Sequence, residues 1–220
     1  MIPKIIHQTY KTVDNLPTVY SKCQDRIKEL HPDWTYMFWT DDLMYSEVRD
    51  SFPELFNIFI NLPRKILQID IFRYCLMAKY GGLYADLDYH FRKPFDLLDS
   101  RLVLPISREF DYNYPRRLGN CVFASEPGHP FWFMVLNDII QNTERLSITS
   151  DADVMDSKFG TGPGFITHMY YTCFDLIKKT ITTPGRFLFH PPSGSSDRFL
   201  ELKDSYGIHY CTSMWINGRL

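Results

Sequence analysis

The chain lacks the features that assign a protein quickly. No two of its five cysteines form a C-x-x-C pair, no apolar run approaches the ~18 residues that cross a bilayer, and neither sign of charge dominates. Cys23, Cys75, Cys121, Cys173 and Cys211 are odd in number and widely scattered, which argues for buried free thiols in a reducing compartment rather than disulfides or zinc. A net charge of -2 leaves no broad basic surface for a nucleic-acid partner, so an anionic ligand has to be met by a few placed groups. No asparagine heads an N-x-Ser/Thr sequon. The opening Met-Ile-Pro-Lys-Ile-Ile-His-Gln has neither the basic segment nor the long apolar stretch of a secretory signal. The expectation is a cytoplasmic protein without an integral membrane segment.

What is present is a globular composition. Hydrophobic residues make up 45% of 220, which excludes a disordered chain and suits one domain. Ile2 to His7 is an apolar, β-branched run that reads as a buried parallel strand. Pro17 opens an amphipathic helix to Leu30, with Val19, Cys23, Ile27 and Leu30 on one face. Trp34 to Thr40 is the next strand, and Asp41 and Asp42 are expected to cap a helical region running to Ile60. A helix from Arg64 to Tyr80 is apolar almost all round and so should be buried; Gly81-Gly82 ends it, and Leu83 to Leu87 is a strand with an acidic far end. This β-α-β-α-α-β order predicts an α/β fold with a mainly parallel central sheet flanked by helices. Further on, strands are expected over Leu102–Ile106, Cys121–Ala124, Arg186–His190 and Tyr206–Met214. Helices are expected over Pro130–Gln141 and Phe165–Lys179, with a polar loop at Thr143–Gly160 between them.

The sharpest chemical signal is Tyr84-Ala85-Asp86-Leu87-Asp88. Residues i and i+2 of an extended segment point the same way, so Asp86 and Asp88 can converge on one hard divalent cation. The pair stands at the carboxyl end of a strand, where open α/β sheets bind ligands. Asp70 and Arg73 lie three apart on the buried helix and share a face. They are either an internal ion pair or a clamp for sugar hydroxyls and phosphate, since buried charges need partners or a ligand.

The run Ile2 to Tyr10, the helix bearing Asp70 and Arg73, and the block Tyr80-Gly81-Gly82-Leu83-Tyr84-Ala85-Asp86-Leu87-Asp88 together resemble the DXD-containing sugar-transferase family, glycosyltransferase family 32. The Asp-x-x-Arg to D-x-D spacing is also similar to that of the glucosyltransferase domain of large clostridial toxins. The resemblance is strong over residues 1–95 and patchy beyond. It implies a single GT-A domain, a nucleotide-sugar donor with a UDP-sugar favoured over GDP-mannose, Mn²⁺ or Mg²⁺ on the diphosphate, and transfer with retention of configuration. It divides the chain into a nucleotide-sugar-binding half, 1–100, and an acceptor-side half, 101–220, ending in a metal and phosphate segment.

By the same resemblance Asp88 would bind the metal directly, and Asp86 would contact the donor and reach the metal through water. Asp70 and Arg73 would hold donor hydroxyls. His7, Gln8, Thr9 and Tyr10 would line the nucleobase pocket, with Tyr10 standing where most relatives have Trp. Ile208 to Trp215 resembles the family's closing His…Ser-Trp signature, so His209 is a candidate metal ligand and Ser213 and Trp215 are candidate β-phosphate donors. Met214 separates the last two, as in the toxins. Asn120 is placed toward the acceptor, and the turn Gly160–Gly164 offers amides to an anion at a helix start. The loop Ser107 to Leu118, with Tyr112, Tyr114, Arg116 and Arg117, looks like an acceptor surface. The function implied is hexose transfer to a glycan, lipid-linked or protein hydroxyl, by a cytoplasmic enzyme that could sit at a membrane face. The rivals are a nucleotide-sugar hydrolase using the same metal and a non-catalytic sugar-nucleotide or glycan-binding protein.

Overall fold

Burial on both faces makes β1 (Ile5–Thr9) a central strand, for Ile6, His7 and Gln8 are all enclosed. The computed structural model describes residues 1–147, 158–191 and 204–212. In it β1 runs parallel to β2 (Thr35–Trp39) on one side and β3 (Gly82–Ala85) on the other. Six strands form the sheet in the order β2-β1-β3-β8-β5-β9, completed by β5 (Leu102–Val103), β8 (Val122–Ser125) and β9 (Ile181–Thr182). Only β8 runs against its neighbours, so the sheet is mainly parallel as expected.

Helices cover one face: α2 (Asp41–Ser51), α3 (Pro53–Ile60), α4 (Lys65–Lys79), α5 (Pro130–Gln141) and α6 (Pro163–Thr172). Their apolar sides meet Trp39, Tyr84, Leu102 and Phe123 of the sheet. On the opposite face Ile6, Leu83, Val103 and Val122 pack with Ile27 of α1 (Thr18–Leu30) and with Tyr89, Phe91 and Phe189. The fold is therefore a sheet between two layers, as its apolar pattern requires.

The helix α4 sits deepest. Leu67, Ile71, Phe72, Leu76 and Met77 have no exposed surface, each worth about 1.5–3 kcal/mol of burial. Its exit is sharp because Gly81 and Gly82 take φ of 63° and 92°, conformations that cost other residues strain. A Cβ on Gly82 would fall 2.6 Å from the carbonyl oxygen of Ile5, so only glycine lets β3 lie this close to β1.

Several local expectations are corrected. Thr40 is the cap of α2, accepting from Leu43 N, with Asp41 and Asp42 in the first turn where the helix dipole favours them. The helical region to Ile60 breaks at Phe52, where Pro53 opens α3. Phe165–Lys179 is not one helix: α6 ends at Thr172 and a single turn, α7 (Asp175–Lys178), follows. Arg186–His190 is not a strand but a turn of helix, α8 (Arg186–Phe189), which points Phe189 into the core. The last expected strand narrows to β10 (Gly207–His209), and Met214 lies outside the described residues.

Two small ladders lie beside the main sheet. One joins β6 (Ile106–Arg108) to β7 (Arg117–Leu118). The other joins β10 to β4 (Tyr89–Phe91), with Gly207 opposite Phe91, Ile208 opposite His90 and His209 opposite Tyr89. Because β4 begins directly after Asp88, this register delivers His209 to the end of the acidic motif. Among the described residues no helix is long and apolar enough to cross a membrane.

The approach of β10 to β4 depends on Gly207, where a Cβ would lie 2.5 Å from both the His90 carbonyl oxygen and Tyr89 Cε1. Gly207→Ala is expected to destabilise the chain by about 1–3 kcal/mol through overpacking, read as a fall of several degrees in Tm. An unchanged Tm would show that the two strands are not held as closely as described.

Candidate active site

A buried helix carrying charge has to answer for it. Asp70 and Arg73, both 3% exposed, pair across one helical turn at 3.2 Å. The Arg73 guanidinium then reaches out of its own helix. Nη1 donates to the Asn120 carbonyl oxygen at 2.5 Å and lies 3.4 Å from Asp86 Oδ1, and the group sits over the Tyr84 ring. Asp70 in turn accepts from Asn120 Nδ2 and Thr161 Oγ1, both at 3.0 Å. One arginine thus joins α4, the end of β3 and the entry to β8.

At the strand end Asp86 Oδ1 accepts from Tyr84 OH at 2.8 Å, and its amide donates to the Cys121 carbonyl oxygen at 2.7 Å. Asp88, two residues on, accepts from His209 Nε2 at 3.0 Å and from both the amide and the hydroxyl of Thr212 at 2.9 Å. His209 Nε2 also lies 3.9 Å from Asp86 Oδ2, so the imidazole stands between the two carboxylates.

Burial sets most of the charge states. It pushes the Asp70 carboxyl up to about 6, although Arg73, Thr161 and Asn120 pull the other way. It raises Asp86 too, with Arg73 opposing. Burial works against charge on Arg73, but Asp86, Tyr84 and Asp70 outweigh it and hold the guanidinium protonated. Asp88 differs: burial is overcome by the donors on His209 and Thr212, and its pKa falls. Burial likewise opposes charge on His209, and the Cys121 thiol and the Asp88 carboxylate overcome it and raise that pKa.

The segment expected to line a base pocket divides. Gln8 accepts from Tyr36 OH at 2.8 Å and stands 3.4 Å from the carbonyl oxygens of Ala85 and Asp86, tethering the acidic motif. Thr9 Oγ1 lies 3.3 Å from Tyr84 OH. Tyr10 packs edge-on against Tyr20, whose hydroxyl is 2.9 Å from Thr212 Oγ1, so these rings lead toward Asp88. His7 sits farther back. Its Nδ1 accepts from Trp39 at 3.1 Å, its Nε2 donates to the Gly81 carbonyl oxygen at 2.9 Å, and burial lowers its pKa to about 4, so the ring is neutral with both nitrogens engaged. Ser213 and Trp215 lie outside the described residues.

Four contributors were not singled out from the sequence. Thr212, Tyr20 and Cys121 reach the site through pairings that no local pattern signals, whereas Tyr84 stood inside the acidic motif and could have been read as its orienting donor. Asn120, expected toward the acceptor, donates its side-chain amide to Asp70 and accepts from Arg73 at its carbonyl, and Thr161, within the turn Gly160–Gly164, donates its hydroxyl to Asp70. The Tyr-rich loop is fastened to α6, with Tyr114 stacked on Tyr171 at 4.9 Å and hydrogen-bonded to His168.

Residues 17–104 match the family model described as the glycosyltransferase sugar-binding region containing the DXD motif. Inositol phosphoceramide mannosyltransferase 2 of Schizosaccharomyces pombe is 32% identical over 218 residues, which is 99% of this chain and 59% of that protein. Mannosyl phosphorylinositol ceramide synthase SUR1 of Saccharomyces cerevisiae is 33% identical over 76% of this chain and 41% of its own length. The chain therefore spans less than two thirds of the length of these curated relatives. Among solved structures, the glycosyltransferase domain of the YGT toxin superposes with a TM-score of 0.64 at 8% identity, covering 83% of this chain and 80% of that one. The PaToxG glycosyltransferase gives 0.57 at 16% identity, over 93% and 85%. These likenesses show the GT-A fold.

The raised Asp70 carboxyl carries a pH signature. Its pKa of about 6 in the folded chain lies above the ordinary aspartate value, so the folded state holds the proton more tightly. The stability this contributes is full below about pH 4 and is lost as the pH rises through about 6, an effect of at most about 3 kcal/mol. Asp70→Asn should lack that component. In denaturant unfolding at about pH 4 and about pH 8, wild type is expected to lose more stability than the variant over the interval. Equal losses would rule out a raised Asp70.

Proposed function

Because the chain belongs to the family of glycosyltransferases with a DXD-containing sugar-binding region, we propose that it transfers a hexose from a nucleotide-sugar to an acceptor hydroxyl, using a divalent ion held at the end of β3. The observation that carries this reading is the convergence of Asp86, Asp88 and His209 beside a buried arginine. Carboxylate oxygens and an imidazole suit Mn²⁺ or Mg²⁺, with Asp88 and His209 as the nearest pair and Asp86 beside them. A bound ion would supply the positive charge that a departing nucleoside diphosphate requires.

The chain's own groups do the rest. Arg73 spends Nη1 and Nη2 on Asn120, Asp86 and Asp70, which fixes both carboxylates, and Tyr84 orients Asp86 from the other side. The Arg73 Nε–H is buried with no acceptor among the described residues, and an unmet donor costs about 1–3 kcal/mol. A donor hydroxyl or phosphate oxygen there would satisfy it. Gln8, Thr9 and Tyr10 line the approach from β1, where we place the nucleobase, and Ser213 and Trp215 are assigned to the diphosphate by the family pattern alone.

The site's carboxylates are already bonded to Arg73, Tyr84, His209 or Thr212. This favours front-face attack by the acceptor hydroxyl, its proton passing to the departing diphosphate oxygen, with retention of configuration. The names of the relatives point to mannose as the sugar and to a phosphoinositol lipid as the acceptor. A cavity of about 360 Å³ on the side of residues 101–220 is lined by Arg108, Arg117 and Arg186 together with Glu109 and Asp111, the last paired with Arg117 at 3.5 Å, and carries exposed Phe110 and Tyr112 at its edge; we place the lipid-linked acceptor there, its anionic group toward Arg108 and Arg186. Four buried free cysteines suit a reducing compartment, so we assign action at a cytoplasmic membrane face.

The test is a panel of UDP- and GDP-sugars with Mn²⁺ and phosphoinositol-lipid or glycan acceptors, scoring transferred and free sugar separately. Transfer is expected for one donor, lost on chelation, and reduced on the order of a hundredfold or more in Asp88→Asn with circular dichroism unchanged. Free sugar without transferred product would favour the hydrolase. Absence of any nucleotide binding by folded protein would favour a non-catalytic role.

A further inference from the structure

The ligand atoms at the strand end include one that hard cations do not choose. Cys121 opens the approach to β8, and its carbonyl oxygen accepts the Asp86 amide at 2.7 Å, so the thiol is anchored beside the acidic motif. It is 5% exposed. One carboxylate oxygen of Asp86, the Cys121 sulfur and one ring nitrogen of His209 all lie within 4.8 Å of one another. Ligands on a single tetrahedral ion, with bonds of about 2.0–2.3 Å, lie roughly 3.3–3.8 Å apart, so shifts of about 1 Å would bring these three onto one centre. The parts around them are fastened: His209 by the ladder of β10 on β4, and Asp86 by Tyr84 and Arg73.

We propose that Cys121 is a metal ligand, and that with Asp86 and His209 it makes this centre accept thiophilic divalent ions, Zn²⁺, Co²⁺ or Cd²⁺, in competition with Mn²⁺ and Mg²⁺. The proposal rests on the reading of the strand end as a metal site and adds its selectivity. A carboxylate, imidazole and thiolate together form a borderline-to-soft donor set, whereas two carboxylates alone would favour hard ions. Binding forms a metal–sulfur bond and releases the thiol proton to solvent, and the metal and sulfur keep their oxidation states. The consequence is a site whose occupant depends on which ions are available.

The experiment is titration of the metal-free chain with Co²⁺, followed by absorbance, alongside Cd²⁺ competition against Mn²⁺ read by Mn²⁺ paramagnetic resonance. Wild type should show both the visible Co²⁺ bands and a near-ultraviolet sulfur-to-cobalt charge-transfer band. Cys121→Ser should lose the charge-transfer band and bind Cd²⁺ on the order of 10–100-fold more weakly, with Mn²⁺ affinity little changed. Cys211→Ser is the control, because Cys211 Sγ lies 3.2 Å from His209 Nδ1, and it should keep the band. Visible bands without charge transfer in wild type would overturn Cys121 as a ligand and leave the metal site standing. No Co²⁺ or Mn²⁺ binding would overturn both. A cadmium NMR shift of unmutated protein in the oxygen and nitrogen range would also overturn the proposal, whatever the folding of Cys121→Ser.

Discussion

The contact on which the site depends is a single guanidinium enclosed between two carboxylates. Arg73 is almost wholly buried, and a lone charge in that position would cost several kcal/mol. Asp70 alone could balance it within the helix. By extending to Asp86 as well, Arg73 ties the helix to the end of β3, and through the Asn120 carbonyl it ties both to the approach of β8. Removing the arginine would leave two facing carboxylates without their counter-charge, so neither the strand end nor the helix could keep its present state. The arrangement is costly to bury and correspondingly specific in geometry. The carboxylates of Asp86 and Asp88 are thereby held in fixed orientations, Asp86 by Arg73 and Tyr84 and Asp88 by His209 and Thr212.

Much of this was legible in the chain because it is local. The D-x-D spacing, the Asp70–Arg73 interval and the glycine pair after α4 each state their geometry within a few residues. Helix α5 spans Pro130–Gln141 as the sequence predicts, since Pro130 opens it. The failures share the opposite property. Arg186–His190 reads as a strand from the apolar run Phe187-Leu188-Phe189, but five residues cannot separate a strand from a turn of helix, and the structure forms a helical turn that buries Phe189. Thr212, Tyr20 and Cys121 enter the site by contacts across distant parts of the chain, which composition does not encode. His209 was named only because a family pattern pointed there; the register of β10 on β4 supplies the physical reason.

The two halves proposed from the sequence do not separate in space. The strand β8, from the second half, is inserted between β3 and β5, and its reversed direction brings Asn120 and Cys121 to the same end of the sheet as Asp86. Residues from both halves of the chain are therefore built on one hydrogen-bonded ladder. Arg117, on the wall of the cavity that Arg108 and Arg186 also line, stands three residues before Asn120, so a change at that wall is separated by a very short span of backbone from the Asp70–Arg73 ion pair.

The ladder between β4 and β10 has a consequence for the order of assembly. Asp88 and His209 are 121 residues apart, and closing so long a loop carries an entropic cost that no local contact repays in advance. During synthesis β1, β2, β3 and α4 leave the ribosome while His209 has yet to be translated. The early strands can pair while the acidic motif still lacks its imidazole. Completion of the centre is thus a late folding event, and the nascent chain remains without it until nearly the whole described sheet has emerged.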